Sequence, residues 1–210
     1  LFRILYGARY SLSIGVASVL IALIMGVTLG VIAGYFGGWI SEVIMRLSDA
    51  VASIPSILMA IAIVSALGQS MFNLMLAVGI TSVPQFVRIT HAATLTVRNQ
   101  EYVEASRCLG LQEWQIICFH VLPNCLSPII VQTTLRVASA IISASSLSFL
   151  GLGVPAPTPE WGGMLSAGRK YIRGYGYLTL FPGLAIMITV LALNLLGDGL
   201  RDALDPKLKR

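Results

Sequence analysis

Long intervals without a charged side chain are the feature that most constrains the fold of this chain. Five of them cover residues 10–41, 50–87, 114–135, 137–159 and 174–197. A helix needs about 20 consecutive apolar residues to cross the ~30 Å hydrocarbon core of a bilayer. Charged residues make up 11% of the 210 residues, against about 25% in soluble domains. We therefore predict an all-α polytopic membrane protein, and the composition excludes a disordered chain, a nucleic-acid-binding domain and an ordinary cytosolic enzyme.

The charge-free intervals predict five membrane spans. The interval 50–87 is too long for one helix, and Gly68-Gln69-Ser70 is its natural break. Within the first half of that interval, Pro55 is expected to kink the helix. The predicted spans cover residues 11–34, 43–67, 72–91, 128–150 and 178–200, and an outer loop covers residues 151–176.

The distribution of Lys and Arg predicts the orientation of the five spans. One side of the membrane would carry eight basic residues and the other side five. We assign the side with eight to the cytoplasm, which places the amino-terminal end outside. The eight are Arg46, Arg88, Arg98, Arg107, Arg201, Lys207, Lys209 and Arg210, and the five are Arg3, Arg9, Arg169, Lys170 and Arg173.

The longest cytoplasmic connection, residues 92–124, is predicted to contain a short helix at about 100–110. Asn99 is a good N-cap, and Gly110 closes the segment as a C′ residue would. Tyr102, Ser106 and Leu109 are predicted to share one face of this helix. A short helix on the cytoplasmic surface between two spans is well shaped to be bound by a cytosolic protein.

The same segment resembles the EAA loop of ABC importer permeases. The family pattern is Glu-Ala-Ala, three residues, Gly, nine residues, Ile, any residue and Leu-Pro. Here Ser106 replaces the second Ala and His120 replaces the Ile. The residues that match the pattern, and that the resemblance implies to be the ATPase-coupling residues, are Glu104, Ala105, Ser106, Gly110, Leu122 and Pro123.

Further stretches resemble one subgroup, the permeases of dipeptide, oligopeptide and nickel importers. They cover most of the chain, so the resemblance implies a single type I ABC transmembrane domain over residues 1–210. Permeases of this kind have a further N-terminal span, so we expect a sixth span before Leu1. The stretches are YGARYSLSIG at 6–15, EYVEASRCLG at 101–110, SLSFLGLGVPAPTPEWGGML at 146–165 and FPGLAIMITVLALNLLGDGLRDALDP at 181–206.

The resemblance also implies the assembly and its place in the cell. A second permease subunit, commonly a different one, would complete a heterodimer in the bacterial cytoplasmic membrane. Two cytosolic ABC ATPase subunits would bind ATP and Mg²⁺, and an extracytoplasmic solute-binding protein would deliver the substrate. The permease itself would need no cofactor. Di- or oligopeptides are the expected substrates, and nickel or a metal chelate is the alternative.

Catalytic and metal-binding patterns are absent from the sequence. No Walker A, GxSxG or HExxH motif is present, so we expect no catalysis by this subunit. Cys118, His120 and Cys125 are close in sequence, but positions two apart on a helix point about 200° apart. We therefore predict no metal site and interpret these residues as helix-packing residues.

Arg136 is the one charged residue deep inside a predicted span. Such charges are costly in a membrane and usually face a helix-bundle interior or an aqueous cavity. Arg136 is therefore a candidate pathway residue that could attract a peptide carboxylate. The alternative is a structural pair with a carboxylate of the second permease subunit or with backbone carbonyl groups.

Three basic residues, Arg169, Lys170 and Arg173, lie in the predicted outer loop, against the positive-inside tendency. They are candidates for an outer rim that receives the binding protein or attracts anionic substrate. The alternative is an interfacial helix whose basic side chains extend to lipid headgroups.

Overall fold

The computed structural model describes residues 2–204 and is helical, with no β-strand in that range. Lys207, Lys209 and Arg210, which were counted above for the orientation, lie outside the described residues. Long helices follow the apolar intervals, and short helices connect them. In chain order the helices are α1 (Phe2–Phe36), α2 (Gly38–Ala52), α3 (Ser56–Leu67), α4 (Met71–Arg98), α5 (Glu101–Cys108), α6 (Glu113–Ile116), a π-helical turn (Ile117–Val121), a 3-10 turn (Pro123–Cys125), α7 (Leu126–Phe149), α8 (Trp161–Gly168), a second 3-10 turn (Arg169–Tyr171) and α9 (Tyr177–Leu204).

Four helical segments are long and apolar enough to cross a membrane: α1, α4, α9 and the segment Glu113–Phe149, which runs from α6 through α7. They contain the predicted spans 11–34, 72–91, 178–200 and 128–150. The helices extend beyond the predicted ends, as where α4 continues to Arg98. The reason is that hydropathy locates only the part of a helix that lipid can surround, while the helix itself continues into polar surroundings.

The predicted second span, 43–67, is not one continuous helix. It is divided into α2 and α3, whose axes meet at 86°. The break falls at Pro55, which occupies the N-cap position of α3. Proline has no N–H to donate and sterically disfavours helical geometry in the residue before it, so the helix ends instead of bending slightly. The prediction of a single kinked helix was wrong, although the break falls at Pro55, where the kink was predicted.

Helices α1 and α4 pack together through glycines spaced four residues apart on one face of α1. A Cβ atom built on any of them would lie 2.3–2.7 Å from a Cβ atom of α4, which is closer than two non-bonded carbon atoms can approach. Small residues at this spacing let the backbones of two membrane helices come into direct contact. The facing pairs are Gly26 with Phe86, Gly30 with Thr90 and Gly34 with Thr94.

Two clusters of buried apolar side chains lie along this pair of helices. The larger one joins α1, α3, α4 and α7 and includes Ile14, Leu74 and Phe86, each 0% exposed. The smaller one lies where α1 ends, and through it α5 and α6 pack against the long helices. Its buried members are Tyr35, Val103, Ile116, Val121, Cys125 and Ile129.

The glycine contact between α1 and α4 generates a testable prediction. Gly30→Ala should lower the free energy of unfolding by about 1–3 kcal/mol, because overpacking forces the backbones apart. Gly199→Ala is the matched control, since no atom lies within 4 Å of a Cβ at that position. Thermal unfolding of the purified protein in detergent measures both. Equal stability of the two variants would contradict the packing described here.

Candidate functional site

The short helix α5 follows α4 almost directly. Asn99 was predicted to be its N-cap, but Asn99 is the C-cap of α4, and the N-cap of α5 is Gln100, whose side chain makes no capping bond. The prediction was wrong because α4 continues through the interval in which a loop was expected. Asn99 therefore closes the preceding helix instead of opening the next one.

The end of α5 is built as the sequence indicates. Gly110 has a φ of 79°, in the left-handed region that favours glycine. The Leu111 amide donates to the Ser106 carbonyl (3.3 Å) and the Gly110 amide donates to the Arg107 carbonyl (2.9 Å). This pair of bonds is a Schellman motif, which satisfies carbonyl groups at the helix end and turns the chain away.

One face of α5 is buried and the other is free. Val103 is buried within the smaller cluster, and Ser106 is also buried, with its hydroxyl donating to the Tyr102 carbonyl at 2.7 Å. Tyr102 and Leu109, which were predicted to share a face with Ser106, are 41% and 81% exposed, so of these three side chains only that of Ser106 is buried. The apolar surface available to α5 is contacted instead by Val103, one residue further along the helix.

The residues that match the family pattern divide between these two faces. Glu104 and Ala105 are exposed, and Ser106, the replacement for the second Ala, points inward. Leu122 and Pro123 lie on another segment, at the 3-10 turn that leads into α7. The pattern thus includes surface residues, a packing residue and a turn.

Cys118 and His120 lie in the π-helical turn, and Cys125 ends the 3-10 turn. Cys118 is exposed, whereas Cys125 is buried with its Sγ 3.8 Å from the Thr94 hydroxyl. Within residues 2–204, no group of three or more His, Cys, Asp or Glu side chains is arranged to hold a metal ion.

Arg136 lies near the middle of α7, on a face that the rest of the chain leaves partly open. With the Gln132 amide oxygen turned toward it, the Arg136 Nε and one Nη donate to that oxygen at 2.7 and 3.2 Å. Among residues 2–204, no carboxylate lies within ion-pair distance of Arg136. Burial among neighbouring side chains is therefore compensated by one amide and not by an opposite charge.

A polar stripe extends along α7 on both sides of Arg136. Gln132, Arg136, Ser139 and Ser143 follow one another at intervals of four, three and four residues, which places them on one face. The two serines are exposed. We call these four residues the polar face of α7. This face differs from the exposed face of α9, which is formed by apolar side chains such as Leu184, Met187, Ile188, Leu191 and Leu195.

The predicted outer loop is partly helical and is held in place by a buried acid. Glu160 is 1% exposed, and its carboxylate accepts from the Gly162 and Gly163 amides at 2.8 Å, capping α8. The Trp161 indole donates to the Ile4 carbonyl of α1 at 3.0 Å. Sequence reasoning missed Glu160, because glutamate is not among the preferred N-cap residues. Its position directly before Trp-Gly-Gly was the available signal.

The three basic residues of the predicted rim follow α8 and are exposed. The Arg169 guanidinium lies 5.4 Å from the centre of the Phe149 ring, which ends α7. Lys170 lines a shallow cavity beside Gln69 and Gly151. The group is therefore placed around the end of α7 that lies farthest from α5.

Comparisons with known proteins identify the family. Residues 26–210 match the family described as "Binding-protein-dependent transport system inner membrane component". The dipeptide transport system permease protein DppC of Alkalihalophilus pseudofirmus is 51% identical over 99% of this chain and 68% of its own length. The di/tripeptide transport system permease protein DppC of Pseudomonas aeruginosa is 51% identical over 100% and 69%. The glutathione transport system permease protein GsiD of Pectobacterium atrosepticum is 48% identical over 99% and 69%.

Solved structures support the fold. A crystal structure of the MetNI methionine ABC transporter in an inward-facing conformation matches with a TM-score of 0.77 at 18% identity, covering 98% of this chain and 97% of that one. A chain of an amino acid ABC transporter matches with a TM-score of 0.69 at 11% identity, covering 96% and 94%. The family match, the relatives at about half identity and this fold together lead to one conclusion. The chain belongs to the inner membrane components of binding-protein-dependent transport systems, and it is a multi-pass permease of the ABC importer type.

Proposed function

We propose that this permease forms half of the pathway of an ATP-driven importer for di- or oligopeptides. The observation that carries the proposal is the identity of 48–51% over nearly the whole chain to relatives named for dipeptide, di/tripeptide and glutathione transport. Those names favour peptides over the alternative of nickel or a metal chelate. All three named substrates carry a peptide-type amide and a carboxylate, which an arginine in a water-filled pathway could attract.

Uptake by the reconstituted importer tests the substrate. Proteoliposomes that contain the permease with its second subunit, its ATPases and its binding protein should accumulate labelled dipeptide when ATP is supplied. Unlabelled dipeptide should compete for uptake, and Ni²⁺ should not. Accumulation of nickel without accumulation of peptide would overturn the peptide assignment in favour of the alternative.

The partners follow from the same proposal. A second permease subunit completes the pathway, commonly as a heterodimer, and two cytosolic ATPases bind ATP and Mg²⁺. A solute-binding protein delivers the peptide from outside the bacterial cytoplasmic membrane. This subunit needs no cofactor and carries out no catalysis itself.

We assign the coupling role to the exposed face of α5. Glu104 and Ala105 are exposed there, while Val103 and Ser106 attach the helix to the membrane-spanning part. A helix held on one face and free on the other can be bound by an ATPase and move the helices to which it is attached. Gly110 would set the angle at which the chain leaves α5, and Leu122-Pro123 would set the return into α7.

Two substitutions test the coupling role. We expect Glu104 to pair with a basic residue of the ATPase. Glu104→Lys should then reduce uptake about tenfold or more, because a like-charge contact across an interface costs several kcal/mol, and Glu104→Gln should reduce it less. At Gly110, valine should impair uptake more than asparagine, since the left-handed conformation costs most residues about 1–2 kcal/mol and asparagine less. Open space surrounds this glycine, so the backbone and not the size of the side chain decides. Normal uptake by Glu104→Lys in proteoliposomes would contradict the assignment.

We place Arg136 in the translocation pathway. The polar face of α7 is only partly covered within this chain, and lipid is a poor environment for a guanidinium and an amide at mid-span. An aqueous pathway between two permease subunits would hydrate both groups. The exposed serines can satisfy themselves within the helix, as Ser139 does by donating to the Leu135 carbonyl at 3.2 Å. Serines that are hydrogen-bonded within the helix would line a pathway without binding a passing peptide tightly.

The charge preference of uptake tests the role of Arg136. Arg136→Ala should lower uptake of a glutamate-containing dipeptide about tenfold relative to a lysine-containing one, the size expected from losing one hydrogen bond to a charged group. Arg136→Lys should preserve most of the preference. Initial rates in proteoliposomes give both ratios. An unchanged ratio in Arg136→Ala, with normal assembly, would favour the alternative of a structural pair with the second subunit.

We propose that Arg169, Lys170 and Arg173 form an outer rim that contacts the binding protein. They are exposed, they lie beyond the end of α7, and the Glu160 cap holds the preceding helix in place. A fixed basic patch can speed the approach of an acidic surface, an effect that increasing salt weakens. The orientation with α5 in the cytoplasm places this patch outside.

A further inference from the structure

The end of α1 meets α5 and α6 at a single tyrosine. Tyr35 is 5% exposed and lies one residue before the end of α1. Its hydroxyl donates to the carboxylate of Glu113, the first residue of α6. The guanidinium of Arg107, in the last turn of α5, lies 5.3 Å from the centre of the tyrosine ring. One side chain of the first span therefore contacts both short helices. We call Tyr35, Arg107 and Glu113 the Tyr35 cluster.

The backbone at this point is held by α4. Arg98, the last residue of α4, donates from one Nη to the carbonyls of Gly34 (2.9 Å) and Tyr35 (3.1 Å). Carbonyls in the last turn of a helix lack intrahelical partners, and a cation there is favoured by the helix dipole. The backbone of Tyr35 is thus held by α4, and its side chain remains available to contact α5 and α6.

Apolar packing alone would leave α5 some freedom to rotate and tilt. Its buried side chains are Val103, a member of the smaller cluster that is 0% exposed, and the small Ser106. Non-directional contacts of this kind determine which face is buried but only weakly determine the angle of a short helix. The Arg107 guanidinium over the Tyr35 ring is a directional contact of α5 itself. The charge-assisted hydrogen bond from Tyr35 to Glu113 is directional too, and it holds α6, which follows α5 after four residues. Together the two contacts can determine the angle of α5.

The side chains of α5 divide accordingly. Glu104 and Arg107 are both exposed, but the Arg107 guanidinium also contacts the Tyr35 ring. Within residues 2–204, Arg107 makes no salt bridge with Glu104, although that spacing permits one. Arg107 therefore makes a contact within the permease, and the exposed Glu104 is left for a partner.

We propose that the Tyr35 cluster positions α5 relative to α1, so that movement of α5 is transmitted to α1 and, through the glycine contact, to α4. The proposal rests on the coupling role assigned to α5 above. Tyr35 is a positioning residue, since it acts through α5 and contacts neither substrate nor nucleotide in this role. Loss of its hydroxyl should leave the rate of ATP hydrolysis unchanged but lower the number of peptides imported per ATP hydrolysed.

The test compares two tyrosines of the same helix. Tyr35→Phe removes the hydroxyl and keeps the ring, and Tyr10→Phe is the matched control, because within residues 2–204 the Tyr10 hydroxyl makes no hydrogen bond. The readout is the number of peptides imported per ATP hydrolysed by the assembled importer in proteoliposomes. We expect Tyr35→Phe to lower this number about fivefold to tenfold, with the basal ATPase rate unchanged, and Tyr10→Phe to leave it unchanged.

A second variant separates the hydrogen bond from general damage. Glu113→Gln keeps an oxygen that can accept from Tyr35, so it should retain most of the coupling, whereas Glu113→Ala should behave like Tyr35→Phe. The double variant Tyr35→Phe/Glu113→Ala should be no worse than either single variant, because both remove the same bond. Additive losses would contradict a shared interaction.

The two proposals fail differently. If Glu104→Lys leaves uptake normal, the coupling role of α5 is wrong. If Glu104→Lys abolishes uptake but Tyr35→Phe leaves the number of peptides per ATP unchanged, only the positioning role is wrong. Should Tyr35→Phe reduce the amount of assembled importer while that number stays normal, the tyrosine is a stability residue and the proposal is overturned.

Discussion

The direct backbone contact between α1 and α4 is the constraint on which the rest of the structure depends. Lipid tails are as apolar as leucine, so membrane helices gain little from burying apolar side chains against one another. Close approach must supply dispersion contacts instead, and the glycines at 26, 30 and 34 permit it. The same device joins α7 to α1, where a Cβ at Gly15 would lie 2.6 Å from the Ile141 side chain.

The position of α5 follows from this contact. Because α4 is held against α1 along its length, the last residue of α4 reaches the last turn of α1, where Arg98 binds two backbone carbonyls. Only two residues then separate α4 from α5. A short helix so tightly connected cannot move far without its neighbours, which is the mechanical property that a coupling element of an importer requires.

The exposed faces of α7 and α9 differ in a way that suits a transporter. α9 presents apolar side chains that lipid can cover, whereas α7 presents Gln132 and Arg136, which lipid cannot cover without a cost of about 2.5 kcal/mol or more for the charge. A membrane protein whose outer surface met only lipid would need apolar faces such as that of α9 alone. A face such as that of α7 requires water or another subunit, and a pathway shared by two permeases would provide both.

The sequence by itself determined which segments lie in the membrane, where Pro55 interrupts a helix and how α5 ends at Gly110. These features depend on local properties: transfer of apolar residues out of water, a missing N–H and a positive φ. Only the tertiary structure decided that the interruption turns the chain by 86°, that Val103 and not Tyr102 faces inward, and that Tyr35 bonds to Glu113. Tyr35 and Glu113 are 78 residues apart, and their contact exists because packing of the long helices brings two distant segments together, which no pattern within either segment records.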